Sequence, residues 1–89
     1  MKTVNFNFEI NDLNGSPIGN AGKLIGGLLM ADNKGDSLKF YDWAIAFHKG
    51  EQKELDLSDF KKVYEFIENC EKLTNISKAQ LLIYLNSLK

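Results

Sequence analysis

The segment DSLKFYDWAIAFHKG, from Asp36 to Gly50, constrains the fold more than any other part of the chain. It holds the only Trp and the only His of the sequence. Four apolar residues recur at i, i+3, i+4 and i+7 and therefore share one face of a helix: Phe40, Trp43, Ala44 and Phe47. A neighbouring face carries Leu38, Tyr41, Ile45 and His48. Because so much of its circumference is apolar, we expect other elements to cover this helix on more than one side.

Both ends of this central helix are signalled by suitable capping residues. Asp36 or Ser37 can accept hydrogen bonds from the free amides at its start. Lys49 is favourable near a helix C-terminus, and Gly50 can take the positive φ that often ends a helix.

Length and charge limit the function classes. A chain of 89 residues with 44% apolar and 26% charged residues predicts one globular domain, too small for a core plus an enclosed substrate chamber. The formal net charge is −1, and all 11 basic residues are Lys. Because Arg is the side chain best suited to phosphate and guanine recognition, this composition argues against direct nucleic-acid binding.

The N-terminal segment MKTVNFNFEI alternates between apolar and polar residues, unlike a signal peptide, and no run is long enough to span a membrane. We therefore expect a cytoplasmic protein without membrane contact. One Cys cannot form an internal disulfide, which fits a reducing compartment. With one Cys and one His we expect no zinc site, and we expect no cofactor of any kind.

The N-terminus carries the clearest strand pattern. Alternation predicts one half-buried strand with four residues on its inner side: Val4, Phe6, Phe8 and Ile10. The pair Asn14-Gly15 predicts a tight turn, followed by a short edge strand from Pro17 to Gly19. Asn20 then caps a helix through Leu29, whose glycines allow close approach of another element: Gly22, Gly26 and Gly27.

The second half of the chain predicts a strand and two helices. An extended piece from Glu51 to Leu57 would place Leu55 and Leu57 on one side and pair with the first strand. Asp56 or Ser58 caps the next helix, whose buried stripe is Phe60, Val63, Tyr64, Ile67 and Cys70. In the last helix Ser77 and Gln80 would form a capping box, with Ile76 and Leu81 as the flanking staple.

These elements predict an α+β fold of one domain over residues 1–89. A small N-terminal antiparallel sheet or hairpin would pack against three to four helices, with Trp43 at the centre.

Catalytic motifs are incomplete, so we do not expect an enzyme. The string from Gly19 to Lys23 lacks the first Gly and the hydroxyl of a phosphate-binding loop. Cys70 has no basic neighbour to activate it. The remote alternative of a small enzyme would need polar groups that converge around His48 and Asp42.

Protein binding is the function we expect. Acidic residues cluster between the central helix and the next one, as an ordinary solvated segment or as a docking surface for a basic partner: Glu51, Glu54, Asp56 and Asp59. Aromatic residues in excess of what a small core can bury would act as interface anchors, and Tyr64 and Tyr84 are the candidates.

The chain resembles small accessory proteins of tailed phages and prophages. The resemblance rests on an opening of the form D/N-x-x-G-x-P-I, which here runs from Asp12 to Ile18, and on the acidic helix start ELDLSDF. It implies a viral protein that binds a host or viral protein, and those families provide no catalytic residues to transfer. Two versions stay open: an inhibitor or adaptor of a host protein, of the anti-defence or anti-CRISPR kind, and a self-associating helper of virion or tail assembly. A homodimer is compatible with both.

Overall fold

A computed structural model describes all 89 residues, and its fold is α+β, as predicted. The chain forms four short strands and four helices in the order β1 (Lys2–Val4), β2 (Glu9–Asn11), β3 (Pro17–Asn20), α1 (Ala21–Ala31), α2 (Ser37–His48), β4 (Lys53–Leu55), α3 (Leu57–Asn69) and α4 (Asn75–Ser87). Strand β1 pairs with β4, and β2 pairs with β3. None of the helices combines the length and apolarity needed to cross a membrane.

Contacts group the residues into two compact units. One unit comprises Asn5–Lys53, and the other comprises Met1–Val4 together with Glu54–Lys89. A single domain over residues 1–89 stays a prediction.

The unit Asn5–Lys53 opens with the predicted hairpin. Strands β2 and β3 are antiparallel, with Ile10 opposite Gly19 and a register shift after Ile10. The Asp12 carboxylate organises the turn, because it accepts hydrogen bonds from the backbone N–H groups of Asn14 and Ser16, each at 2.9 Å.

The prediction of one continuous strand from Val4 to Ile10 is wrong, because the strand is interrupted between β1 and β2. The Phe6 carbonyl accepts hydrogen bonds from the N–H groups of Phe8 (2.8 Å) and Gly22 (2.9 Å). The Phe8 carbonyl accepts from Ala21 (2.9 Å). These carbonyls satisfy free amides at the start of α1 instead of a strand partner. Phe6 is fully buried, whereas Phe8 is only partly buried.

Helices α1 and α2 pack closely, and both are capped as predicted. The Asn20 side chain accepts from Lys23 N–H, and the Asp36 side chain accepts from Lys39 N–H. A Cβ at Gly22 would overlap the Phe47 carbonyl oxygen, and a Cβ at Gly26 would lie 3.0 Å from the Ala44 carbonyl oxygen. Two of the three glycines therefore permit the close approach that the sequence predicts.

Only one face of α2 is buried. Phe40, Trp43, Ala44 and Phe47 are at most 9% exposed. Helix α1 packs against the side of α2 that carries Ala44 and Phe47. The cover expected on a second side of α2 is absent. On the neighbouring face Leu38 is 83% exposed, Tyr41 58% and Ile45 37%, and His48 is also exposed.

In the other unit, the predicted pairing of the first strand with the segment after Gly50 is confirmed as β1 with β4. Leu55 is buried, as predicted. The prediction that Leu57 lies on the same side of this strand is wrong, because β4 ends at Leu55. Asp56 caps α3, which makes Leu57 the first helical residue and leaves it 69% exposed. Cys70 is the C-cap and is partly buried, so the predicted buried stripe ends at Ile67.

Helix α4 begins earlier than the predicted capping box. Thr74 is the N-cap, and its Oγ1 accepts a hydrogen bond from Ser77 N–H at 3.4 Å and donates one to Ser77 Oγ at 3.2 Å. Ser77 and Ile76 therefore lie inside the helix, and the prediction of a cap at Ser77 with a flanking staple is wrong. Thr74 supplies the same kind of N-cap acceptor as Ser, so this half of the capping pattern is present three residues before Ser77.

Candidate functional site

The predicted acidic residues have different structural roles. Glu51 is an exposed residue of the Asn5–Lys53 unit. In the other unit, Glu54 is exposed on β4 and Asp59 lies partly buried in the first turn of α3. The Asp56 carboxylate accepts a hydrogen bond from Asp59 N–H at 2.7 Å. Asp56 is therefore engaged in capping, and docking through Glu54 and Asp59 stays a prediction.

Tyr64 lies partly buried on α3, beneath a cation. The Nζ of Lys89 is 4.1 Å from the centre of the Tyr64 ring. Both residues line a surface cavity of 480 Å³, named here the α3 groove: Phe60, Lys61, Tyr64, Glu65, Glu68, Asn69 and Lys89. The structure thus places Tyr64 in a cavity with charged walls. Tyr84 lies partly buried on α4, and its role as an anchor stays a prediction.

A second cavity lies on α1 and α2, at a surface that the sequence did not identify. This α1/α2 groove has a volume of 270 Å³ and is lined by Gly26, Gly27, Met30, Tyr41, Ala44, Ile45, His48 and Lys49. Met30, at 45% exposure, and Tyr41 flank glycines that leave the groove open. The second apolar stripe of α2 could have indicated this surface, but the sequence pattern predicts that another element covers it.

The structure does not bring Asp42 and His48 into one polar pocket. The Asp42 carboxylate is 2.6 Å from Lys53 Nζ, and Asp42 does not line the groove that contains His48. No three His, Cys, Asp or Glu side chains are placed together so as to hold a metal ion.

Comparison with protein-family models, with curated proteins and with solved structures gives no match to this chain.

Proposed function

We propose that the protein acts by non-catalytic binding to another protein, as an inhibitor or adaptor of a host protein in a phage or prophage setting. The observation that carries the binding proposal is the exposed apolar side chains of α1 and α2: Met30, Leu38, Tyr41 and Ile45. The phage setting and the anti-defence or anti-CRISPR version are supported by the sequence resemblance alone.

Exposed apolar side chains on adjacent helices favour a protein partner. Leu38 is 83% exposed and Tyr41 58% exposed, on a helix whose neighbouring face is buried. Contiguous apolar patches on protein surfaces commonly mark interaction sites, and Tyr is among the residues that carry most binding energy. Covering about 200 Å² of such surface contributes about 5 kcal/mol before the costs of association.

The test is a tagged pull-down from lysate of host cells, read by quantitative mass spectrometry. The double variant Tyr41→Glu/Ile45→Glu places charge on the exposed α2 stripe without altering the buried face. The matched control is Leu13→Glu in the turn between β2 and β3, because Leu13 is similarly apolar and 95% exposed. We expect one dominant host protein with wild type and with the control, and its loss with the double variant. Capture of no protein above background would contradict the binding proposal.

The acidic residues provide a second, independent variant. Reversing Glu54 and Asp59 to Lys should weaken binding to a basic partner and lower its dependence on salt, because surface charge attraction is screened by ions. Circular dichroism would establish that the variant is folded. Unchanged affinity at low salt would exclude these two residues from the interface.

Self-association in virion or tail assembly is the second candidate, and the exposure of α4 favours it. Ile83 is 68% exposed, and Leu82 and Leu88 are each partly exposed. Sedimentation velocity over a concentration series separates the two candidates. Defined oligomers that Ile83→Glu converts to monomers would support assembly, whereas a monomer at all concentrations would argue for a partner of different sequence.

A further inference from the structure

The α3 groove already holds a cationic side chain. Lys89 Nζ lies 4.1 Å from the Tyr64 ring centre, within the range of a cation–π interaction. The backbone that carries it is fixed to the end of α4, because Leu88 N–H donates to Leu85 O at 3.1 Å and Lys89 N–H donates to Asn86 O at 3.3 Å. The ammonium group is therefore directed to α3 from a helical anchor.

The charges that line the groove favour a cation. Lys61 and Glu65 form an ion pair at 3.9 Å and offset each other. Glu68 also lines the groove, together with Lys89. Its backbone carbonyl accepts a hydrogen bond from Lys78 Nζ at 3.0 Å, but Lys78 does not line the groove. If Lys89 moved away, the lining would keep two carboxylates against one ammonium group, beside the face of Tyr64. An excess of negative charge and an aromatic face both attract an ammonium or guanidinium group.

The size of the groove also fits a long side chain. At 480 Å³ the cavity exceeds the volume of one lysine side chain. Phe60 contributes apolar wall beside Tyr64, against which an aliphatic stem can pack while its charged end stays near water.

We infer that the α3 groove binds a lysine side chain of the protein partner and that Lys89 covers the Tyr64 ring until the partner's lysine displaces it. The inference rests on the proposed function and names the chemistry of the contact: an exposed lysine, held by Tyr64 and Glu68. Because a cation–π contact at an exposed site is weak, removing Lys89 should raise affinity for a competing lysine about two- to fivefold.

An NMR titration with the peptide acetyl-Gly-Lys-Gly-amide tests the competition. The ring resonances of Tyr64 report binding to wild type, Lys89→Gln and Lys89→Arg. We expect Lys89→Gln to bind about two- to fivefold more tightly than wild type, and Lys89→Arg to behave as wild type because it keeps the cation. The neutral Nε-acetyl-lysine peptide should produce no shift. Equal affinity of Lys89→Gln and wild type, or an equal response to the neutral peptide, would overturn the inference.

Two substitutions of Tyr64 separate ring chemistry from general packing. Tyr64→Phe keeps the aromatic face and should bind the peptide as wild type does, whereas Tyr64→Leu should lose the response at the Glu68 amide. Glu68→Gln, which changes no packing, should weaken peptide binding in the Lys89→Gln background. Wild-type binding by both Tyr64→Leu and Glu68→Gln would reject the groove.

The pull-down distinguishes failure of this inference from failure of the proposed function. A host protein that Tyr64→Leu captures as well as wild type would leave protein binding intact and exclude the α3 groove. Lysine binding in the titration without any captured protein would instead contradict the proposed function.

Discussion

Gly22 lies directly against the backbone of Phe47, where helix α1 crosses the C-terminal half of α2. A Cβ atom at Gly22 would overlap the Phe47 carbonyl oxygen and stand 3.1 Å from the carbonyl carbon. The obstacle is main chain, which cannot rotate away as the end of a flexible side chain can. Gly22 therefore sets the distance between the two helices.

Gly22→Ala should destabilise the protein by about 1 to 3 kcal/mol, because the overpacking cost exceeds the gain of up to about 1 kcal/mol in helix propensity. Urea unfolding followed by Trp43 fluorescence measures the change. A variant as stable as wild type would mean that the helices can separate without loss.

Gly27→Ala is the matched substitution on the same helix and should have the opposite sign. Nothing lies within 4 Å of a Cβ at Gly27, and the residue is exposed. We expect stabilisation of up to about 1 kcal/mol from helix propensity and reduced freedom of the unfolded chain. A loss of stability in the same urea experiment would contradict the open space beside Gly27.

Trp43→Ala should cost about 3 to 5 kcal/mol, since Trp43 is 2% exposed and its ring centre lies 5.5 Å from that of Phe40. A domain of this size can be unfolded by such a loss. Thermal unfolding by circular dichroism is the measurement, with Trp43→Phe as the milder control. A melting temperature within about one degree of wild type would contradict the burial of the ring.

Thr74→Ala should cost about 1 kcal/mol, because the hydroxyl that accepts from Ser77 N–H is lost, whereas Thr74→Ser should retain most of that stability. Ser77→Ala removes only the acceptor of the Thr74 hydroxyl and should cost less. Chemical denaturation of the three variants ranks them. A larger loss of stability with Ser77→Ala than with Thr74→Ala would indicate that Ser77, not Thr74, is the N-cap of α4.

The sequence predicted the elements whose signals are local. Asn20 and Asp36 have side chains that reach their own helix amides, so both caps could be assigned without knowledge of the fold. The stripe that includes Trp43 likewise indicates its own buried face. The α+β class follows from these local signals together with the alternation near the N-terminus.

The sequence-based predictions are wrong where one pattern of apolar residues is compatible with two arrangements of the backbone. Alternation from Val4 to Ile10 is compatible with one strand. The carbonyls of Phe6 and Phe8 instead accept hydrogen bonds from the first amides of α1. Periodicity does not reveal this competition between segments that are distant in the sequence.

The candidate site was predicted only in part for a similar reason. Tyr64 was identified as an anchor from its residue type, but the seating of Lys89 over its ring depends on how α4 ends, far along the chain. The exposure of Leu38 and Tyr41 depends on how many elements cover α2. The spacing of apolar residues along the helix does not indicate that number.

The pairing of β1 with β4 has a consequence for the order in which the chain can fold during synthesis. The residues Asn5–Lys53 are contiguous, so their unit is complete in sequence before most of its counterpart has been made. Strand β1 is synthesised before that unit, whereas its partner β4 is completed only after it. Closing so long a loop carries an entropic cost that local contacts do not. Strand β1 therefore remains without its sheet partner until the Asn5–Lys53 unit has been synthesised, and its backbone hydrogen-bonding groups are meanwhile left to water.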